Sequence, residues 1–109
     1  MWPLEQRVEV FIEGDNQNVQ LRVVGEVVAQ TCGDLRMSVM DAVARKPQKI
    51  ALDLSEVPFM DTSGIGVLVG LRAHMKSKGV VLELANPTSK VKQVLRMTRL
   101  LAVFGLPDE

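Results

Sequence analysis

The chain has 109 residues, 47% of them apolar and 24% charged, the balance of one globular domain with a single core. Thirteen basic side chains face thirteen acidic ones, so the chain lacks the basic excess that marks nucleic-acid binders. The one cysteine, Cys32, cannot form an internal disulfide, and the one histidine, His74, sits among Arg72, Met75 and Lys76, which are poor metal ligands.

The longest apolar run, Ile65 to Leu71, is far shorter than a membrane span. The N-terminus has no basic region leading into an apolar stretch, the pattern of a signal peptide. One cytoplasmic domain over residues 1–109 is expected, without membrane insertion.

Arg7 to Ile12 alternates in part, as a half-buried strand does. Glu13 to Asn18 is turn material, and Val19 to Val28 reads as a second strand, so the chain opens with an antiparallel hairpin. Thr31 followed by Asp34 has the form of a capping box. Leu35, Val39, Ala42 and Val43 then fall at helical spacing, and Arg45, Lys46 and Pro47 close that helix.

Lys49 to Val57 reads as a third strand, stopped by Pro58. Thr62 to Lys78 follows as a second helix, with Ile65, Leu68, Val69 and Met75 on its apolar side and Gly79 at its end. Val80 to Ala85 is a fourth strand. Thr88 to Leu101 is a third helix, with Val91, Val94, Leu95 and Thr98 on one side, and residues 102–106 form a short strand or a last turn. Strand, helix, strand over 49–85 is a βαβ unit with parallel strands and a right-handed crossover. The expected fold is α/β: a mixed sheet of four to five strands covered by amphipathic helices.

The informative stretch runs from Phe59 to Gly70, FMDTSGIGVLVG, at the end of a parallel strand and the start of a helix, where such sheets expose functional groups. Asp61, Thr62 and Ser63 are each able to cap that helix. Gly64 and Gly66 in its first turns each cost about 1 kcal/mol relative to alanine, which points to close backbone approach. Gly66 and Gly70 share one face and suit packing on the sheet, whereas Gly64, nearer the mouth, suits contact with something external. Met60 and Met75 fit either an adaptable binding surface or the core.

The run DLSEVPFMDTSGIGVLVGL resembles the signature of STAS domains, and in particular that of bacterial anti-sigma factor antagonists. The resemblance extends over nearly the whole chain, through Gly25-Glu26, Asp53-Leu54-Ser55 and the ending VKQVLRMTRLLAVF. It implies a binding module rather than an enzyme, with no cofactor. In that family the residue after the motif aspartate is phosphorylated by an anti-sigma factor that is itself a kinase, of the histidine-kinase-like ATPase type. The unphosphorylated antagonist binds this kinase and frees the sigma factor, and a phosphatase resets the cycle. Carried over by position, the phosphorylated residue is Thr62, with Ser63 as the alternative, and the partner surface comprises Met60, Asp61, Thr62, Ser63, Gly64 and Ile65. Thr62 stands where serine is commoner, and Val28 stands where many antagonists have an acidic residue. Two other roles share the resemblance: an accessory subunit of a lipid-transporting ABC complex, and a scaffold subunit of a signalling assembly.

Other chemistry finds less support. Ser63 and His74 are separated by about 16 Å along one helix at 1.5 Å per residue, so they do not form a hydrolase pair. Gly64-x-Gly66 lacks the rest of a nucleotide-binding motif. Lys90, Lys92, Arg96 and Arg99 give the third helix a basic, solvated face or a contact for an acidic partner.

Overall fold

Alternation in the strands sets up one buried sheet face and one open one. Val19, Leu21 and Val23 of the second strand, Ile50, Leu52 and Leu54 of the third, and Leu84 of the fourth are buried on the same side. The computed structural model describes residues 7–107. In chain order its elements are β1 (Glu9–Gly14), β2 (Asn18–Val24), α1 (Cys32–Val43), β3 (Lys49–Glu56), α2 (Thr62–Ser77), β4 (Val81–Ala85) and α3 (Ser89–Met97), followed by a 3₁₀ turn at Ala102–Phe104. The sheet order is β1-β2-β3-β4. β1 pairs antiparallel with β2, whereas β2–β3 and β3–β4 are both parallel. The expected α/β architecture and the βαβ unit through α2 are present, and α1 makes a second crossover of the same kind.

The helices bury the sheet face with their own apolar stripes. Leu35, Val39, Ala42 and Val43 of α1 are buried at the expected spacing. On α2 the buried residues are Gly64, Ile65, Leu68, Leu71 and Met75. Val69, expected inside, is 43% exposed, and Leu71 takes its place. Each fully buried leucine, such as Leu52 or Leu68, contributes about 1.5–3 kcal/mol over its exposed state.

The open face carries charge in pairs. Arg22 donates from Nη1 to Glu56 Oε2 at 2.8 Å, its Nε lies 4.0 Å from Glu13 Oε1, and its Cζ stacks 4.5 Å from the centre of the Phe11 ring. Lys49 and Glu83 are 3.5 Å apart on neighbouring strands. Asp53 also lies here, where it accepts from the Ser55 amide at 3.0 Å and from Asn86 Nδ2 at 3.4 Å.

β1 runs from Glu9 to Gly14, two residues later than expected, and three further departures have a local reason. β2 ends at Val24 and not at Val28, because its register with β3 shifts between Arg22 and Val24 and Gly25 adopts φ +120°. A side chain at Gly25 would lie 2.4 Å from the Arg7 carbonyl oxygen, so glycine alone fits. The Thr31 capping box does not form: Thr31 makes no side-chain cap and turns back to the preceding loop instead. α3 stops at Met97, because the Thr98 hydroxyl donates to Val94 O at 2.8 Å and Arg99 adopts φ +60°.

Candidate functional site

Two loops leave the ends of parallel strands side by side, and the head of α2 rises from their junction. In the first, residues 25–31, the buried Thr31 hydroxyl donates to Glu26 O at 2.7 Å and accepts from the Val28 amide at 2.9 Å. That pins the loop from within. The second, residues 57–61, is stitched to it: Val27 N donates to Phe59 O at 3.0 Å and Asp61 N donates to Val27 O at 3.2 Å. Val27 and Met60 form a parallel bridge.

Asp61 is the N-cap of α2. Its backbone is extended, and its Oδ1 accepts from the amides of Ser63 at 2.9 Å and Gly64 at 3.2 Å. Of the three short polar residues able to cap this helix, the aspartate takes the role, which releases both neighbouring hydroxyls. Thr62, in the first helical position, is exposed, and Ser63 is half-buried. Neither hydroxyl makes a hydrogen bond among the described residues. A group attached to Thr62 Oγ1 would stand in solvent at the positive end of the helix dipole.

The six residues expected at a partner surface separate into two layers. Asp61, Thr62 and Ser63 form the upper layer. Met60, at 0% exposure, Ile65, at 6%, and Gly64 are buried beneath it. The glycine roles are the reverse of those expected from the sequence. An ideal Cβ on Gly64 would come within 2.6 Å of Met60 Cγ and 2.8 Å of Val27 O, whereas one on Gly66 or Gly70 would meet nothing within 4 Å. Gly64 thus lets the helix head sit against the first loop, and Gly66 and Gly70 face outwards.

Asp53 does not join the site, since it lies on the open sheet face. Burial acts to raise its pKa, but hydrogen bonds from the Ser55 amide and hydroxyl and from Asn86, with the charge of Arg22, outweigh burial and hold it below the usual carboxylate value. Val27 and Thr31 are supports that the sequence did not reveal. Thr31 is legible as a hydroxyl before a helix, but nothing in its spacing tells that it bonds backwards. Among the described residues no group of His, Cys, Asp and Glu is placed to hold a metal ion, and no helix is long and apolar enough to cross a membrane.

Comparison with known proteins agrees with this geometry. The anti-sigma-B factor antagonist of Bacillus subtilis is 27% identical over 101 residues, covering 93% of this chain and 86% of that protein. The anti-sigma F factor antagonist of Paenibacillus polymyxa is 29% identical, covering 81% of this chain and 76% of that one. An anti-sigma factor antagonist structure from Mycobacterium paratuberculosis has the same fold, with a TM-score of 0.80 at 19% identity, covering 95% of this chain and 88% of its own. The STAS domain family matches residues 9–108, nearly the full length. On fold, motif and extent of match, this chain belongs to the STAS domain family.

Proposed function

We propose that this protein is an anti-sigma factor antagonist whose binding is switched by phosphorylation of Thr62, with Ser63 as the alternative acceptor. The observation that carries the reading is the division of labour at the head of α2: Asp61 caps the helix, and the Thr62 hydroxyl beside it is exposed and unengaged. Relatives named as antagonists of anti-sigma factors support the choice of partner. The partner is an anti-sigma factor kinase of the histidine-kinase-like ATPase type, met in the cytoplasm, and a phosphatase restores the binding form. The protein acts by binding and carries out no catalysis of its own.

The switch works by charge. The kinase transfers the γ-phosphoryl group of ATP to Thr62 Oγ1, with ADP as the leaving group and the hydroxyl proton passing to the kinase or solvent. The phosphate adds roughly 1.5–2 negative charges. The helix dipole favours an anion there, so the domain stays folded. No lysine or arginine lies between Pro47 and Leu71 in sequence except Lys49, so the new charge has no cation beside it along the chain. A partner surface that must desolvate this spot is repelled.

The test uses the cognate anti-sigma factor kinase. With ATP, the chain should gain one phosphate, placed on Thr62 by tandem mass spectrometry, and Thr62→Ala should abolish it. In calorimetry Thr62→Glu should weaken kinase binding strongly and Thr62→Ala only slightly. Equal binding by the two variants would sink the reading.

A further inference from the structure

Gly66 and Gly70 leave a furrow on α2 that α1 walls on the other side. Its upper part, about 420 Å³, is floored by Val67, Leu71 and Met40 and begins at Ser63. A second hollow, about 760 Å³, runs past Val43 to Val80 and adjoins the upper one at Met40 and His74, which line both. Their rim is cationic, with Arg36 at the upper end and Lys46 and Lys78 at the lower. Among the described residues, no aspartate or glutamate lines either part. The exposed carboxylates of α1 lie elsewhere: at 3.6 residues per turn, Asp34 and Asp41 are about 140–160° round the helix from Arg36. A chain of zero net charge has thus gathered three cations round a channel whose upper floor is apolar and whose lower part adds Gln48 and His74.

We infer that this groove is the docking site for an amphipathic helix of a partner protein, apolar along one face and acidic along its flanks. A channel between two helices takes a third helix as its natural filler, and the missing side chains at Gly66 and Gly70 let its backbone approach closely. From Ser63 to Lys78 the groove runs for about 22 Å, the length of roughly fifteen helical residues. Carboxylates on the flanks of the incoming helix meet Arg36 above and Lys46 and Lys78 below. A floor without Phe, Tyr or Trp offers no stacking platform for nucleic-acid bases, and a channel between helices suits a lipid surface less than a flat face would. The inference rests on the preceding reading only in taking a protein as occupant. The two meet at Ser63, where a phosphate on either hydroxyl of the α2 head would oppose the acidic helix at the mouth of its channel.

The probe is a fluorescein-labelled fifteen-residue peptide with leucine at i, i+4, i+7 and i+11 and glutamate on both flanks. A second peptide carries lysine in place of every glutamate. Fluorescence anisotropy should show binding of the acidic peptide, weakening as salt rises. The lysine peptide should bind at least about tenfold more weakly, because like charges then face each other. Gly70→Glu places a carboxylate in the open channel without a clash and should lower acidic-peptide binding by a similar factor, about tenfold, with unfolding temperature kept or raised. Arg36→Glu should act the same way. The inference is overturned if the two peptides bind alike, if Gly70→Glu binds the acidic peptide as the parent does, or if phosphatidylglycerol vesicles are bound and the acidic peptide is not. None of these readings uses phosphorylation, so failure here leaves the Thr62 switch standing, and failure of the switch leaves the groove.

Discussion

Replacing Gly64 by alanine adds one methyl group at the point where α2 sits on the 25–31 loop. An ideal Cβ there lies 2.6 Å from Met60 Cγ, 2.8 Å from Val27 O and 2.9 Å from Val27 Cγ1. Met60 is a flexible side chain, but it is fully enclosed. The Val27 oxygen is held by the Asp61 amide at 3.2 Å, so it yields only if that bond lengthens. Overpacking of this kind costs about 1–3 kcal/mol, set against at most about 1 kcal/mol gained by alanine over glycine in a helix. The net expectation is a loss of up to about 2 kcal/mol. Gly70→Ala meets nothing within 4 Å, so only the propensity gain remains, about 0.5–1 kcal/mol. The propensity gain is common to both sites, so the same chemical change at two places on one helix should differ by the overpacking cost, about 1–3 kcal/mol. Urea unfolding of both variants against the parent measures this as a shift in midpoint at constant slope. Equal midpoints, or a Gly64→Ala variant more stable than the parent, would refute the close-packing account of Gly64.

Asp61→Ala removes the acceptor for two α2 amides and should cost about 1 kcal/mol, while Asp61→Asn should retain most of that; matching losses in thermal melts would mean that the cap is not what Asp61 supplies. Asp53 has its folded pKa held below the unfolded value, so its contribution is present above about pH 4 and lost as pH falls through the folded value. The stability gap between the parent and Asp53→Asn should therefore close in acid, and an offset that stays constant from about pH 7 to about pH 2 would exclude ionisation as its source.

Periodicity made the helices and parallel strands legible, because a stripe such as Leu35, Val39, Ala42 and Val43 has one reading whatever lies opposite. It was ambiguous on α2, where both Val69 and Leu71 fit an apolar face and only the neighbouring elements decide between them. Glycines were the hardest to place. A residue without a side chain carries no sign of which way its Cα faces, so the close approach inferred at 64 and 66 is present at 64, against the protein's own loop, and absent at 66. The motif Asp61-Thr62-Ser63 was found at the head of α2 as expected, but Met60, Gly64 and Ile65 proved to lie under it. Sequence adjacency cannot separate the two layers, because neighbouring residues on a helix point in directions about 100° apart.

Among the described residues β1 has no partner strand on its outer edge, and its side chains bear on what else can join there. Two copies meeting edge to edge, antiparallel about Phe11, would bring Glu9 of one against Glu13 of the other, twice over, on the same face. Like charges directly opposite each other in a ladder destabilise the pairing. Gly14, at φ +89°, ends the strand soon afterwards and keeps the available edge short. The exposed Phe11 and Ile12 would otherwise make this border adhesive. With a carboxylate on either side of Phe11, the border resists growth into a continuous two-molecule sheet.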